Sequence, residues 1–509
     1  MTLSDAVRSV VAVLRRRPDD LLPWYVLGAA VPAIVRIVPF IAIAIGFVYL
    51  ETTGRLEAAL EEFTALETEP PDPEADPAAF EEWLAGFEPI AEALLAPGLL
   101  ALALVTIAVT IVVTALLYAA VAAGQITACS ARLRGNRGST AGVAGVRRYW
   151  LSFLGLYVLE LVAWIGVILT VGIGVAVVAG LVVAATGSEL VAVAVGLVAV
   201  LVVALALAAV RALFAFAPVA VVVDDTTAVG SLSNTVSFVR SSPLEAGFYY
   251  VASIVALAGV AGISGALVFV DVAAFVSLVS ALLVLPALDL LKTALYNGYR
   301  GRLVALPTPD RSFRARFGSG LRRGWAEMVS FVRATPGTHA TVVVLALVSF
   351  WVGWEAAEPL AGTVETSISA RLEGHVPPTA TLEFFGNNWM VALTTAFSGV
   401  ALAIPAIVSL VFNGVVMGVF GRTEVEPFEL LAFVIPHGIF EIPAILVATA
   451  VGIWLGVVGW RTYRGRRTRT EFADALERAF WVLVGVGILL AVAAVVEGFV
   501  SPYYYGAFL

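Results

Sequence analysis

Apolar runs longer than a bilayer is thick govern what this chain can fold into. They fall at about 23–50, 94–123, 151–180, 190–217, 247–270 and 272–296, with more after residue 338. A spanning helix needs roughly 20 such residues. Composition agrees: 60% of the 509 residues are hydrophobic and 13% charged. An average soluble domain is about 45–50% apolar and about 25% charged, so the excess cannot hide inside one globular core. A soluble enzyme is excluded. A net charge of −8, with no basic patch standing apart from the apolar segments, argues against a nucleic-acid partner. The single cysteine, Cys129, excludes a disulfide framework, a thiolate zinc site and an iron–sulfur cluster. The expected fold class is an all-α, polytopic transmembrane bundle surrounded by membrane lipids.

Arg15, Arg16 and Arg17 precede the first run and could suggest a secretion signal. That run extends from Leu21 to Leu50, whereas a cleavable signal has an apolar core of only about 7–15 residues. It therefore reads as a retained helix, and Pro18-Asp19-Asp20 after the arginines is unlike a twin-arginine export signal.

Loop charges alternate. Residues 1–22 carry Arg8 and the arginine triplet, and 124–150 carry Arg132, Arg134, Arg137, Arg147 and Arg148 with no acid. Residues 297–339 carry eight arginines, whereas 51–93 hold Arg55 alone against many acids. Short basic loops stay in the cytoplasm, so the N-terminus is expected inside, followed by six crossings. Three related phrases land on that same side: Val13-Leu14-Arg15-x-x-Pro18, Phe238-Val239-Arg240-x-x-Pro243 and Phe331-Val332-Arg333-x-x-Pro336. Each reads as an interfacial turn with Arg toward phosphate and Pro opening the next helix, where its missing N–H costs nothing.

The remainder must restore parity. A crossing at about 338–356 leads to an acidic loop, 357–382, and 459–478 is again arginine-rich. An odd number of crossings must lie between them. Splitting the chain at Ile404-Pro405 gives helices at about 383–404, 405–421 and 429–458; a re-entrant hairpin at Pro436-His437-Gly438 is the competing solution. A last helix at about 478–500 puts Tyr503-Tyr504-Tyr505 outside. The expectation is eleven crossings, six plus five: a six-helix domain at 1–300, a basic cytoplasmic linker at 301–324 and a second transmembrane domain at 325–509. Residues 51–93 read as an acidic extracytoplasmic helical hairpin broken at Pro70-Pro71-Asp72-Pro73. Acidic loops and a lone lysine, Lys292, suit a GC-rich halophile.

Charges inside a bilayer each cost about 2.5–3.5 kcal/mol on insertion scales unless paired or wet. Arg36 and Glu160 are the deep ones in the first part and are candidates for an ion pair. Arg211, Asp289 and Lys292 lie near helix ends, where snorkelling explains them. A second cluster comprises Asn387-Asn388-Trp389, Phe412-Asn413-Gly414 with Gly418, and Pro436-His437-Gly438-Ile439-Phe440-Glu441-Ile442-Pro443-Ala444. His437 and Glu441 share a helix face. Asn413 and His437 each lie about 12 Å from their outer helix ends, so Asn413, His437 and Glu441 are expected to meet. Gly414 and Gly418 offer a surface for close helix contact. Pro436 and Pro443 are expected to interrupt the backbone ladder.

Asn387-Asn388, Asn413-Gly414, Gly418 and the Pro-His-Gly-Ile-Phe-Glu-Ile-Pro-Ala phrase resemble the signature of the stage II sporulation protein M family, as does the ending Glu497-x-x-Val500-Ser501-Pro502. The resemblance covers about 325–509. It implies a polytopic, non-enzymatic membrane component; in endospore formers that family works with peptidoglycan-degrading partners during engulfment. Residues 1–300 loosely resemble uncharacterised six-helix prokaryotic membrane domains, through Phe216-Ala217-Pro218 and Val223-Asp224-Asp225.

Three functions compete. The first is a scaffold or component of a membrane or envelope complex in the cytoplasmic membrane, with protein partners, no cofactor, and Asn387, Asn388, Asn413, His437 and Glu441 as its intramembrane polar cluster. The second is a transporter or channel-like protein for a small solute, ion or lipid, with Asn413, His437 and Glu441 as its polar site; no inverted repeat supports it. The third, an intramembrane metal enzyme, has only His437 and Glu441, half of the ligand set that catalytic zinc requires. His339 and His375 are expected near the membrane surface or outside it. The scaffold is the preferred expectation, and no metal or catalytic residue is assigned.

Overall fold

The computed structural model describes residues 2–65, 72, 76–266, 272–304, 312–362, 364–368, 372 and 374–504. Each expected apolar run is helical there, and no β-strand occurs among the described residues; Thr366 and Glu424 form an isolated bridge. Among the described residues, ten helices are long and apolar enough to cross a membrane.

Helix α1 (Leu3–Arg16) is amphipathic, burying Ala6, Val10 and Val13. A 3-10 turn, Pro18–Asp20, leads into α2 (Leu22–Thr52). The acidic segment forms α3 (Arg55–Ala65), α4 (Pro77–Ala85) and α5 (Glu88–Leu94). Trp83 stacks near Phe80 and meets Phe87 edge-on at 4.8 Å, so the apolar spacing does form a face. Of the expected breaker at 70–73, only Asp72 lies among the described residues. Then come α6 (Pro97–Leu133), α7 (Gly138–Thr186) and α8 (Leu190–Asp224), the last with a break at Phe216 before Ala217-Pro218. Helices α9 (Ala228–Ser241), α10 (Pro243–Ala266) and α11 (Ala273–Tyr299) complete the first part.

The second part contains α12 (Phe313–Ala334), α13 (Pro336–Ala356), α14 (Pro377–Ser398), α15 (Ile404–Thr423), α16 (Pro427–Tyr463), α17 (Arg469–Phe499) and the short α18 (Ser501–Tyr504). The stretch expected as a linker is helical from Phe313. The split at Ile404-Pro405 is present: α14 ends at Ser398 and α15 begins at Ile404. Helix α14, 22 residues long, is not among the ten, because Thr379, Thr381, Glu383, Asn387, Asn388, Thr394 and Thr395 dilute its apolar character. Helix α16 runs unbroken for 37 residues through Pro436 and Pro443. The re-entrant hairpin is not found, whereas the ladder is interrupted at both prolines without breaking the helix. Each proline removes one donor, leaving the Ala432 and Ile439 carbonyls without their usual partner; Phe433, His437 and Ala444 are buried on one face of the rod, and Ile439 and Pro443 are exposed on the other.

The three arginine–proline phrases behave alike. Pro18, Pro243 and Pro336 each open a helical segment, and the residue two before each arginine is buried: Val13, Phe238 and Phe331.

Helices α16 and α17 are the centre of the second part, with more than half of their apolar windows buried. Close approach there is set by glycine. A methyl group at Gly418 would land on the Phe350 carbonyl, and one at Gly353 on the Val415 carbonyl, so α13 and α15 touch backbone to backbone. The α14–α15 turn carries Leu402 and Ala403 at φ 60° and 66°, a conformation costly for side-chain-bearing residues. It is held against Gly452 and Gly456 of α16, where a β-carbon would strike the turn backbone or Ala406.

The chain forms two compact units, residues 32–115 and residues 1–31 with 116–509. The larger contains helices from both expected halves, joined by a buried ionic knot. Asp20 accepts hydrogen bonds from the Gly138 and Ser139 amides (2.9 and 2.7 Å) and pairs with Arg132 at 3.2 Å. Asp19 accepts from Trp481 Nε1 (3.1 Å) and Arg323 (3.2 Å), and Arg137 reaches Glu477 at 2.7 Å as well as Asp474.

Candidate functional site

The phrase at 436–444 places His437 and Glu441 one turn apart on α16. His437 is 6% exposed, and its Nδ1 lies 3.0 Å from the Ser501 hydroxyl, which is fully buried. Phe433, one turn earlier, meets the imidazole edge-on at 5.3 Å. From the last turn of α17 comes Glu497. One nitrogen of His437 and one oxygen from each of Glu441 and Glu497 lie within 4.8 Å of one another. The Glu497 Oε2 atom is buried and has no hydrogen-bond partner. Among the described residues, the ion pairs that involve the second part use Arg137, Arg323, Arg422 and Arg478, and none reaches Glu441 or Glu497. Two carboxyl groups and an imidazole therefore share an apolar setting without a basic side chain to balance them.

The end of this site is closed by the approach to α14. The His375 Nε2 atom lies 2.9 Å from the Gly498 carbonyl, and a β-carbon at Gly498 would collide with Thr381 Oγ1. His375, expected away from the cluster, thus sits beside the residue that comes after Glu497. His339 is elsewhere, its Nδ1 2.8 Å from the Thr335 carbonyl.

The asparagines do not join His437. The Asn413 side chain is exposed and donates to the Ser409 carbonyl of its own helix at 2.8 Å. Gly414 and Gly418 turn toward α13, and one residue along a helix is a rotation of about 100°, so Asn413 is carried off that contact face. Asn387 donates to the Asn388 side chain at 3.1 Å and is exposed. The place expected for Asn413 beside His437 and Glu441 is taken by Glu497 and Ser501. Glu497 carries a legible signal, as the one charged residue of the sequence after Arg478; Ser501, four residues beyond it, carries none of its own.

The first part also pairs differently. Glu160 on α7 bonds Arg211 on α8 at 3.1 Å, and the Arg211 side chain remains 64% exposed. Arg36, its expected partner, belongs to the separate unit 32–115. Asp289 and Lys292 form an ion pair at 2.7 Å with side chains only 20% and 14% exposed, and Tyr25 donates to Asp289 at 3.0 Å while lying 3.3 Å from the Cys129 sulfur. Snorkelling does not describe this pair; it is packed inside.

Residues 341–502 match the family model of stage II sporulation protein M, which bears out the resemblance carried by the 436–444 phrase. Residues 83–299 match a domain of unknown function (DUF7847). An uncharacterized protein of Methanocaldococcus jannaschii is 29% identical over 123 residues, covering 23% of this chain and 67% of that protein. No solved structure matches.

Proposed function

We propose that this multi-pass membrane protein is a non-enzymatic scaffold, a fixed component of a complex in the cytoplasmic membrane or envelope. The observation that carries this reading is the continuity of α16 through both prolines. Transporter sites are typically built from discontinuous helices whose half-helix ends face the solute. Here the helix bearing the polar residues is an unbroken rod, clamped to the α14–α15 turn at Gly452 and Gly456. Such a core is suited to hold partners in a fixed arrangement. The match to stage II sporulation protein M supports a role in a membrane assembly, with the amino-terminus inside and the carboxy-terminus outside as the charge pattern indicates.

Cross-linking in native membranes, mild-detergent purification and quantitative mass spectrometry test this reading. A stoichiometric protein partner, above all an envelope enzyme, is the expected result; a clean preparation without one removes the scaffold. A second reading, passage of a small solute or ion, draws on the buried Glu497 oxygen beside Glu441. Solute flux in proteoliposomes that disappears in Glu497→Gln would support it.

A further inference from the structure

We propose that His437, Glu441 and Glu497 bind one divalent transition-metal ion of the zinc class, pinning α17 to α16. The ligand set that α16 alone leaves at two is completed across the bundle by Glu497. Three ligand atoms within 4.8 Å of one another are close to what a metal needs. Zinc takes imidazole nitrogen and carboxylate oxygen at about 2.0–2.2 Å, which puts tetrahedral ligands about 3.3 Å apart. Small rotations of the two glutamate side chains close that gap.

Charge balance points the same way. A neutral imidazole with two ionised carboxylates carries two negative charges, and no basic side chain among the described residues pairs with them. One divalent ion makes the group neutral in its apolar setting. The buried Glu497 Oε2 has no partner and supplies a free lone pair at the cluster. His437 Nδ1 lies 3.0 Å from the Ser501 hydroxyl; in the tautomer whose Nδ1 donates there, Nε2 keeps its lone pair for the ion. Ligating histidines are usually oriented by such a contact on the other nitrogen. One nitrogen and carboxylate oxygens suit zinc, manganese, iron(II) or cobalt, whereas calcium needs six or more oxygens and copper(I) prefers sulfur. Glu497 is in the last turn of α17, so the site lies near that end of the helix. Three protein ligands leave a fourth coordination position for water.

The test uses the full chain in detergent, stripped with a chelator and dialysed against Zn2+, with metal per chain measured by mass spectrometry. Co2+ titration provides a spectroscopic readout of the ligand geometry. The expected result is one ion per chain and a melting temperature that rises with Zn2+. Glu441→Gln, Glu497→Gln and His437→Asn should each weaken binding more than about 100-fold, and Ser501→Ala by about 10-fold. Gln keeps the shape of a protonated glutamate. If the carboxyl groups are merely protonated, the double variant E441Q/E497Q and the wild type will take up equal, sub-stoichiometric Zn2+ and melt alike, which overturns the proposal. Should the variants fail to fold, the wild type decides alone: failure to hold one Zn2+, Co2+ or Mn2+ per chain also overturns it. Partner capture is an independent experiment, so the scaffold and the metal site stand or fall separately.

Discussion

A histidine only 6% exposed within a membrane bundle must find partners for its ring nitrogens inside the protein. His437 finds Ser501 for one of them. Removing either partner leaves the other's polar atom buried and unsatisfied, at a cost of about 1–3 kcal/mol. His437→Ala is therefore expected to lower stability by that amount and Ser501→Ala by about 1 kcal/mol. The double variant should fall short of the sum, because the second removal finds no partner left to strand. Thermal unfolding of the four proteins of that cycle in one detergent checks this; strict additivity would mean the 3.0 Å contact carries no energy. The pairing of His437 with Glu441 was readable from their spacing of four. The Ser501 contact was not, since it joins residues 64 apart. Asp289 and Lys292 show the converse limit: their spacing of three was visible, but nothing local revealed that Tyr25 covers them.

At the scale of helices, the glycines of the second part divide by what a β-carbon would meet. Gly418 faces the Phe350 carbonyl, a backbone atom that cannot move without the whole of α13. Gly418→Val should force α13 and α15 apart and destabilise by at least the about 1–3 kcal/mol typical of overpacking. Gly438 belongs to the most recognisable phrase of the chain, yet a β-carbon there meets only side-chain atoms of Val434 and Ile442, at 3.4 and 3.5 Å. Those are flexible side chains of its own helix. Gly438→Ala is expected to be neutral or to stabilise by up to about 1 kcal/mol, since alanine is the better helix former. Melting temperatures of the two variants should move in different directions, and a severe loss in Gly438→Ala would show that this glycine is kept for something other than packing. The Gly414-x-x-x-Gly418 surface was legible from the sequence as a contact face. Its partner, Gly353 on α13, was not, because a single glycine carries no spacing. The span 429–458 reads as one helix, as α16 is, but setting aside the competing hairpin at 436–438 depends on neighbours that the local sequence does not name: proline announces a lost hydrogen bond, not a break.

Over the whole molecule, hydropathy and loop charge sufficed to place the apolar helices, because crossing a membrane is a local property of about 20 residues. What joins the two expected halves was not legible. Asp19 and Asp20 read as two acids after a basic triplet, yet their partners lie 118 residues away at Gly138 and 462 away at Trp481. Asp20 is 2% exposed and receives two amides at the start of α7, the Ser139 hydroxyl at 2.8 Å and Arg132. It thus caps the positive end of that helix while holding a buried cation. Beside it, Glu477 bonds both Ser139 and Arg137, so α17 enters the same knot. Asp20→Ala strands the Arg132 guanidinium and two backbone donors at once. Breaking a buried pair in this way costs about 3–5 kcal/mol. If the knot is what couples the halves, the loss will not stay local. Hydrogen exchange should quicken at 136–142 and at 474–481 together, although only the first segment touches Asp20 directly. Exchange that quickens at 136–142 alone would mean that α17 is held by its own packing, and that the joint between the two parts of the chain lies elsewhere.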